Sequence, residues 1–123
     1  MLNDIAALEA LAATYLDGLH EGDAAKLGSV FLSTSALTQA VDGKVSITPC
    51  ETWLERVAAR PSPKRQGLER DDHVLAIDLV GPDLALLKIK CAIPPRYFTD
   101  LLSCLKVDGR WQVAQKVFMT ETR

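Results

Sequence analysis

Three side chains of this 123-residue sequence have the types and the surroundings that acid–base chemistry needs. Asp100 stands in the stretch FTDLL, where strand alternation places its carboxyl beside Phe98 and Leu102 on an apolar face. A carboxyl that loses its water either finds a hydrogen-bond donor or a cation, or its pKa rises into the range of a general acid or base. We therefore predict catalytic roles for Asp100, His73 and Tyr15.

His73 and Tyr15 are expected to approach Asp100 from other elements. His73 begins the stretch HVLAIDLV, whose alternation puts it on the apolar face with Ile77 and Leu79, where an imidazole can shuttle protons. Tyr15 belongs to the buried stripe of a predicted helix. Structural alternatives stand beside these roles: a half-exposed histidine at a strand end, and an Asp100 carboxylate satisfied by a backbone amide, water or a cationic side chain.

Large side chains are predicted to line a pocket beside the three catalytic candidates. The predicted ligand-binding residues are Phe31, Trp53, Cys91, Trp111, Gln115 and Met119. Gln115 is a polar exception on its strand face, so its amide is either a partner for Asp100 or a ligand contact. The alternative for the aromatic members is that they fill the core.

The stretch 97–119, YFTDLLSCLKVDGRWQVAQKVFM, predicts two long strands joined by Asp108-Gly109, a dipeptide that tolerates the positive φ angles of a hairpin turn. With a two-residue loop and unbroken alternation, the inward pairs are Lys106 with Trp111, Cys104 with Val113, Leu102 with Gln115, Asp100 with Val117 and Phe98 with Met119. The opposite face predicts a homodimer through the outer side of the sheet, formed by Leu101, Leu105, Ala114 and Phe118.

Three helices are predicted before residue 61. Asn3 or Asp4 caps the first, which carries an apolar stripe at three- and four-residue spacing, and Asp23 caps a short second helix. The stretch Thr48-Pro49-Cys50-Glu51 combines a capping box with a proline at the first helical position, and the third helix ends near Arg60.

Strand signals fill most of the remaining chain. Asp42-Gly43 predicts a short hairpin, and the alternating stretch from His73 is turned by Gly81-Pro82-Asp83 into LALLKIKCAI. The proline-rich stretch 61–67 is an exposed loop, because the residues after it are too few for a second core. We expect residues 1–123 to form one domain.

Composition excludes several classes of function. A net charge of −2 and a pI near 5.6 give no electrostatic case for a nucleic-acid or membrane-surface partner. The three cysteines are widely spaced and the two histidines lie far apart, so we predict buried free thiols, no metal and no cofactor. No apolar run approaches the roughly 18 residues of a membrane span, and we expect a cytoplasmic protein.

The stretches YLDGLHEGDAAKLGSVF, TPCETWLERVAAR and FTDLLSCLKVDGRWQVAQKVF resemble the nuclear transport factor 2-like superfamily, most closely its polyketide-cyclase-like family named Putative lumazine-binding. The resemblance implies an α+β, cystatin-like fold in which a curved antiparallel sheet wraps around three helices of the N-terminal half to make a cone with an interior pocket. It also implies homodimers through the convex sheet face. The ketosteroid isomerases of this superfamily imply that the Tyr15 hydroxyl can act on a bound carbonyl group.

Two functions of different class remain open. The first is a small-molecule-binding protein with an apolar cone-shaped pocket that works as a weak lyase or isomerase-type enzyme on an unknown small molecule. The second is a non-catalytic homodimeric interaction module whose cone is filled by its own side chains. Cavity volume separates the two, since an open pocket of a few hundred cubic ångströms favours the first.

Overall fold

A computed structural model describes residues 2–123, in which three helices pack on one face of a six-stranded sheet. The helices are α1 (Leu2–Glu21), α2 (Ala24–Val30) and α3 (Cys50–Ala59). The strands are β1 (Ala36–Val41), β2 (Lys44–Pro49), β3 (His73–Leu79), β4 (Leu84–Ile93), β5 (Arg96–Val107) and β6 (Arg110–Thr122). This arrangement confirms the predicted α+β class with its curved sheet around three helices.

The sheet has the strand order β2-β1-β6-β5-β4-β3. Neighbouring strands are antiparallel except β1 and β6, which run parallel, with Leu37 beside Lys116 and Thr38 beside Val117. This one parallel pair, in which β1 lies beside the last strand β6, makes the sheet mixed. This pairing joins the short N-terminal hairpin to the long C-terminal one.

Helix starts follow local side-chain chemistry in one case and depart from the prediction in another. The Asp23 carboxylate accepts a hydrogen bond from the Lys26 backbone N–H at 3.0 Å, which confirms Asp23 as the cap of α2. The predicted capping box of α3 is wrong, since Pro49 occupies the N-cap and no side chain caps the helix. Thr48 does not cap the helix because it belongs to β2, where it pairs with Leu37.

Both predicted hairpin turns are present. Asp42 and Gly43 have φ angles of 51° and 76°, and Asp108 and Gly109 have 52° and 75°. Two successive positive φ angles give the turn whose twist matches that of antiparallel strands, and glycine adopts the second without steric cost.

A β-bulge in β6 corrects the predicted inward face of the C-terminal hairpin. Cys104 pairs with Val113 as predicted, but Ser103 pairs with Gln115, so Ala114 is an extra residue. From there the alternation of β6 reverses. Lys116 and Phe118 turn inward, whereas Gln115, Val117 and Met119 turn outward. The predicted pairs of Leu102 with Gln115, Asp100 with Val117 and Phe98 with Met119 are therefore wrong; the observed partners are Lys116, Phe118 and Thr120.

A second irregularity, in β3, corrects the position of His73. The register shifts between Val74 and Ala76, so His73 lies opposite Lys90, an outward residue, while Ile77 lies opposite the buried Leu87. Directly opposed residues share a sheet face. His73 is therefore on the outer side of an edge strand, and its predicted place on the apolar face is wrong.

The core between helices and sheet is made mainly of aliphatic side chains. Its fully buried members include Leu8 and Tyr15 of α1, Leu27 of α2, and Leu87 and Leu102 of the sheet. None of the helices within residues 2–123 has the length and apolar character needed to cross a membrane.

Candidate functional site

A cavity of about 460 Å³ opens between the C-terminal ends of α1 and α3 and the inner face of the sheet. Its wall includes Trp53 from α3, Cys91 from β4, Phe98 from β5, and Lys116 and Phe118 from β6. The volume lies within the range of about 300–1,000 Å³ that small-molecule sites have in proteins. The β6 bulge sets this wall, because it turns Lys116 and Phe118 inward.

Asp100 is fully buried behind this wall, and three polar side chains lie near its carboxylate. Its Oδ2 accepts a hydrogen bond of 2.6 Å from the Tyr15 hydroxyl and lies 3.6 Å from the Cys91 Sγ. The Lys116 Nζ lies 3.8 Å from the same oxygen. Asp100 Oδ1 is buried and has no hydrogen-bond partner among residues 2–123. The carboxylate is thus held by one oxygen, and its second oxygen is an unused acceptor.

Lys116 places a positive charge between this carboxylate and the cavity. Only 6% of the residue is exposed, and its Nζ lies 4.6 Å from the Phe118 ring centre, 5.2 Å from that of Trp53 and 5.4 Å from that of Tyr15. Aromatic faces attract a desolvated cation at these distances. Asp100 and the three rings therefore compensate the charge of Lys116, which is largely removed from water.

Tyr15 is held in its neutral form. Burial of the phenol and the adjacent Asp100 carboxylate raise the pKa of Tyr15 well above its ordinary value. A group with a raised folded-state pKa contributes stability that is present below the unfolded pKa, about 10 for tyrosine, and that is lost as pH rises through the folded pKa.

We expect Tyr15→Phe to lower the free energy of unfolding at neutral pH by about 1–3 kcal/mol, because the buried Asp100 oxygen loses its donor. The deficit should shrink above about pH 10, by about 1.4 kcal/mol per pH unit, since only the parent's unfolded state then loses the Tyr15 proton. Urea unfolding of both proteins from pH 7 to 11 measures this. Tyr97→Phe is the matched control, and a deficit from Tyr15→Phe that stays constant with pH would contradict the assignment.

The predicted catalytic residues separate into a pair and an outlier. Tyr15 and Asp100 are in contact, as their shared inward direction suggested. His73 does not join them: its side chain is largely exposed and its Nε2 lies 3.2 Å from Asp71 Oδ1. The catalytic roles of Tyr15 and Asp100 stay predictions.

The predicted ligand-binding residues also divide. Trp53 and Cys91 line the cavity, whereas Phe31 and Trp111 do not. Phe31 packs between the rings of Tyr15 and Trp53, at 5.8 and 5.1 Å, and the Trp111 Nε1 donates to Asp4 Oδ1 at 3.0 Å. Both are buried core residues, which agrees with the alternative that the aromatic residues fill the core.

Gln115 and Met119 lie on the outer face and cannot reach the cavity wall. The bulge at Ala114 exposes Met119 to 51% and lets Gln115 Oε1 accept a hydrogen bond of 3.3 Å from the Ala36 backbone N–H. The predicted contact between Gln115 and Asp100 is therefore wrong. Lys116 occupies the position expected for Gln115, opposite Leu102.

Four arginines and one lysine of the cavity were missed by the sequence analysis: Arg56, Arg60, Arg70, Arg96 and Lys116. Trp53, Arg56 and Arg60 are spaced three and four apart, which places them on one side of α3 and was a usable signal. No comparable signal exists for Lys116, because its direction depends on the bulge.

All three cysteines are unpaired; Cys50 and Cys104 are buried as predicted, whereas Cys91 is half-buried. Cys91 and Cys104 have an explicit reason to be unreactive. Burial and the nearby Asp100 raise the pKa of Cys91, and burial raises that of Cys104 to about 12. Because the thiolate is the reactive form, a chromogenic disulfide reagent at neutral pH should modify both far more slowly in the native than in the urea-unfolded protein. Labelling of native Cys91 or Cys104 at the rate of free cysteine would contradict this placement.

Comparison with known proteins identifies the family. Residues 3–119 match the family model described as Putative lumazine-binding. The chain belongs to this family. A curated relative, the aldolase FrzH of a Cladobotryum species, is 25% identical over 122 residues, which cover 95% of this chain and 91% of that protein.

Solved structures similar to this chain include proteins with the nuclear transport factor 2-like fold. An NTF2-like protein of unknown function from Shewanella baltica OS155 is 24% identical, with a TM-score of 0.88 and coverage of 99% of this chain and 97% of that one. A ketosteroid isomerase-like protein from Erwinia carotovora atroseptica is 14% identical, with a TM-score of 0.73 and 96% coverage of both chains. At these identities the likeness shows the fold alone. Family and fold together fit a protein that binds a small molecule.

Proposed function

We propose that this protein binds a small carbonyl compound in the cavity and catalyses an enolate-forming reaction of the isomerase or lyase type. The observation that carries the proposal is the Lys116 ammonium, which lies on the cavity wall, 3.8 Å from a fully buried carboxylate. A cation fixed in a water-poor site stabilises negative charge that develops on a substrate oxygen far better than one in water.

The proposed step divides the work between Lys116 and Asp100. The C–H bond beside the substrate carbonyl breaks, and its proton passes to the unused Asp100 Oδ1. The electron pair of that bond forms the C=C bond of the enolate, and the π pair of the carbonyl group moves onto its oxygen, against Lys116. Asp100 does not itself line the cavity, so Lys116 must first swing aside toward the substrate oxygen before the proton can reach Oδ1. Tyr15 fixes the other carboxylate oxygen and is a positioning residue.

Two further observations support this class of reaction. The curated relative from Cladobotryum is named an aldolase, and aldol reactions also require a nucleophilic carbon beside a carbonyl group. The cavity volume of about 460 Å³ disfavours the alternative of a cone filled by its own side chains.

Hydrogen exchange at carbon tests the proposal without knowledge of the natural substrate. Cyclohexanone, tetralone and acetophenone are incubated with the protein in heavy water, and loss of the α-hydrogen signal is followed by proton NMR. We expect at least one ketone to exchange faster than in buffer, and Lys116→Met to remove the acceleration while the outward Lys88→Met keeps it. Exchange at the buffer rate with every ketone, or acceleration that survives Lys116→Met, would overturn the proposal.

We also propose a homodimer through the outer sheet face. Ile47, Thr38, Val117 and Leu101 stand in register across β2, β1, β6 and β5, and the three apolar members are exposed. A second copy is the expected occupant, since a two-fold axis covers the same apolar row on both subunits. The predicted interface is revised at Phe118, which lines the cavity.

Sedimentation at tens of micromolar tests the dimer. The parent protein is expected to sediment as a dimer and Leu101→Asp as a folded monomer, because a buried unpaired carboxylate opposes association. Leu75→Asp, an exposed position on β3 outside the row, is the matched control and should leave the dimer intact. A monomeric parent protein would remove the proposal.

A further inference from the structure

The lining of the cavity carries more positive charge than the composition of the whole chain predicts. Arg56 and Arg60 reach it from the end of α3, and Arg96 from the first position of β5. Lys116 adds a charge on the wall. The sequence as a whole has a net charge of −2, so this local excess of cations is not a consequence of a basic composition.

Two cations of the cavity lining, Arg70 and Lys116, have carboxylate partners within the chain. The Arg70 guanidinium lies 2.8 Å from Asp17 and 2.9 Å from Asp72, and Lys116 faces Asp100. Asp72 and the Arg70 side chain both belong to the cavity lining, so they balance each other there.

Arg60 and Arg96 have no such balance. Neither makes an ion pair with a carboxylate in the part of the chain that the structure describes. Arg60 is partly buried, and its burial together with the charge of Arg96 lowers the pKa of Arg60. Two like charges thus line one cavity, and among residues 2–123 neither is paired with a carboxylate.

We propose that the natural ligand of this cavity carries a carboxylate, which Arg60 and Arg96 bind while the reacting carbonyl group lies against Lys116. This inference rests on the proposed function and adds the class of substrate, a carboxylated carbonyl compound. The planar guanidinium matches a carboxylate with two parallel hydrogen bonds. Asp71 and Asp72 also line the cavity and repel a doubly charged phosphate ester more than a singly charged carboxylate.

Arg56 is not needed for this argument. It lies in the last turn of α3, where a cation interacts favourably with the negative end of the helix dipole. Its position therefore has a structural explanation, whereas the shared place of Arg60 and Arg96 on the cavity lining has none among residues 2–123.

Probes that share a naphthalene ring and differ in charge test the inference. Naphthalene carboxylate, its neutral carboxamide and naphthyl phosphate are titrated into the protein at low salt, with binding followed by calorimetry and by Trp53 fluorescence. The parent protein should bind the carboxylate about tenfold or more tightly than the amide, and more tightly than the phosphate. The double variant Arg60→Gln/Arg96→Gln should lose this preference, while the double variant Arg65→Gln/Lys64→Gln, which removes two charges from the exposed loop, should keep it.

Four results would overturn the inference. They are equal or tighter binding of the amide, a preference for the phosphate, a carboxylate preference that survives the double variant, and binding of no probe at millimolar concentration. The hydrogen-exchange assay detects failure of the proposed function independently of these binding measurements. Tetralone has no carboxylate, so its Lys116-dependent hydrogen exchange can persist when the carboxylate preference fails, and the preference can persist when exchange fails.

Discussion

Replacing Lys116 by methionine is expected to lower the free energy of unfolding by about 3–5 kcal/mol, because it leaves the Asp100 carboxylate buried without a counter-charge. Methionine keeps most of the aliphatic length of the side chain but removes the Nζ, so the loss reports the charge, including its contacts with the aromatic rings. Urea unfolding at pH 7 measures it. The same substitution at the exposed, outward Lys88 should change the free energy by no more than about 0.5 kcal/mol.

A double-mutant cycle separates the ion pair from the packing of the lysine. The variant with both Lys116→Met and Asp100→Asn removes both charges and should recover a large part of the stability lost in Lys116→Met alone. Strictly additive losses in the two single variants would mean that the two groups do not interact, despite their separation of 3.8 Å.

Asp100→Asn is expected to destabilise the protein by about 1.5–3 kcal/mol and to abolish the exchange of ketone α-hydrogens. An amide has the shape of the carboxylate, but it gives Tyr15 and Lys116 a weaker acceptor and cannot take up a proton from carbon. Chemical unfolding and the heavy-water assay measure the two effects on the same samples. If Asp100 were buried without Tyr15 and Lys116 as partners, its charge would be unfavourable, and Asp100→Asn would keep or raise the stability.

The matched control for this variant is Asp78→Asn, an exposed carboxylate on the edge strand β3. It should leave both stability and exchange close to those of the parent. Unchanged or increased stability of Asp100→Asn would show that the contacts of Asp100 with Tyr15 and Lys116 contribute no net stability.

Local sequence signals predicted the elements and one essential contact. Asp108-Gly109 fixed the hairpin and the first pairs of its strands, and the helical spacing placed Tyr15 among the buried residues of α1. β5 has an unbroken alternation from Phe98 to Cys104, so the burial of Asp100 followed directly from the sequence. The contact between Tyr15 and Asp100 is the structural result of these two correct assignments.

The errors arise where a strand contains one extra residue. Both faces of β6 beyond Ala114 are largely apolar, with Val117 and Met119 on one and Phe118 on the other, so hydrophobicity does not reveal the reversal. The register shift in β3 likewise moved His73 to the outer face. A shift of one residue exchanges the two faces of a strand, and neither shift occurs at a glycine that would mark it.

The cavity lay beyond the reach of sequence analysis for a different reason. Arg60 and Arg96 are separated by the loop after α3 and by two complete strands, and Lys116 comes from the last strand. Their convergence depends on the curvature of the sheet and on the parallel pairing of β1 with β6, which no local pattern specifies.

A crystal structure of the protein with the ketone that exchanges fastest tests the central claim most directly. The account predicts the ketone inside the cavity, with its carbonyl oxygen within about 2.7–3.2 Å of the Lys116 Nζ. Its α-carbon should lie on the side of Asp100. A ketone bound elsewhere, or bound in the cavity with its oxygen turned away from Lys116, would contradict the account.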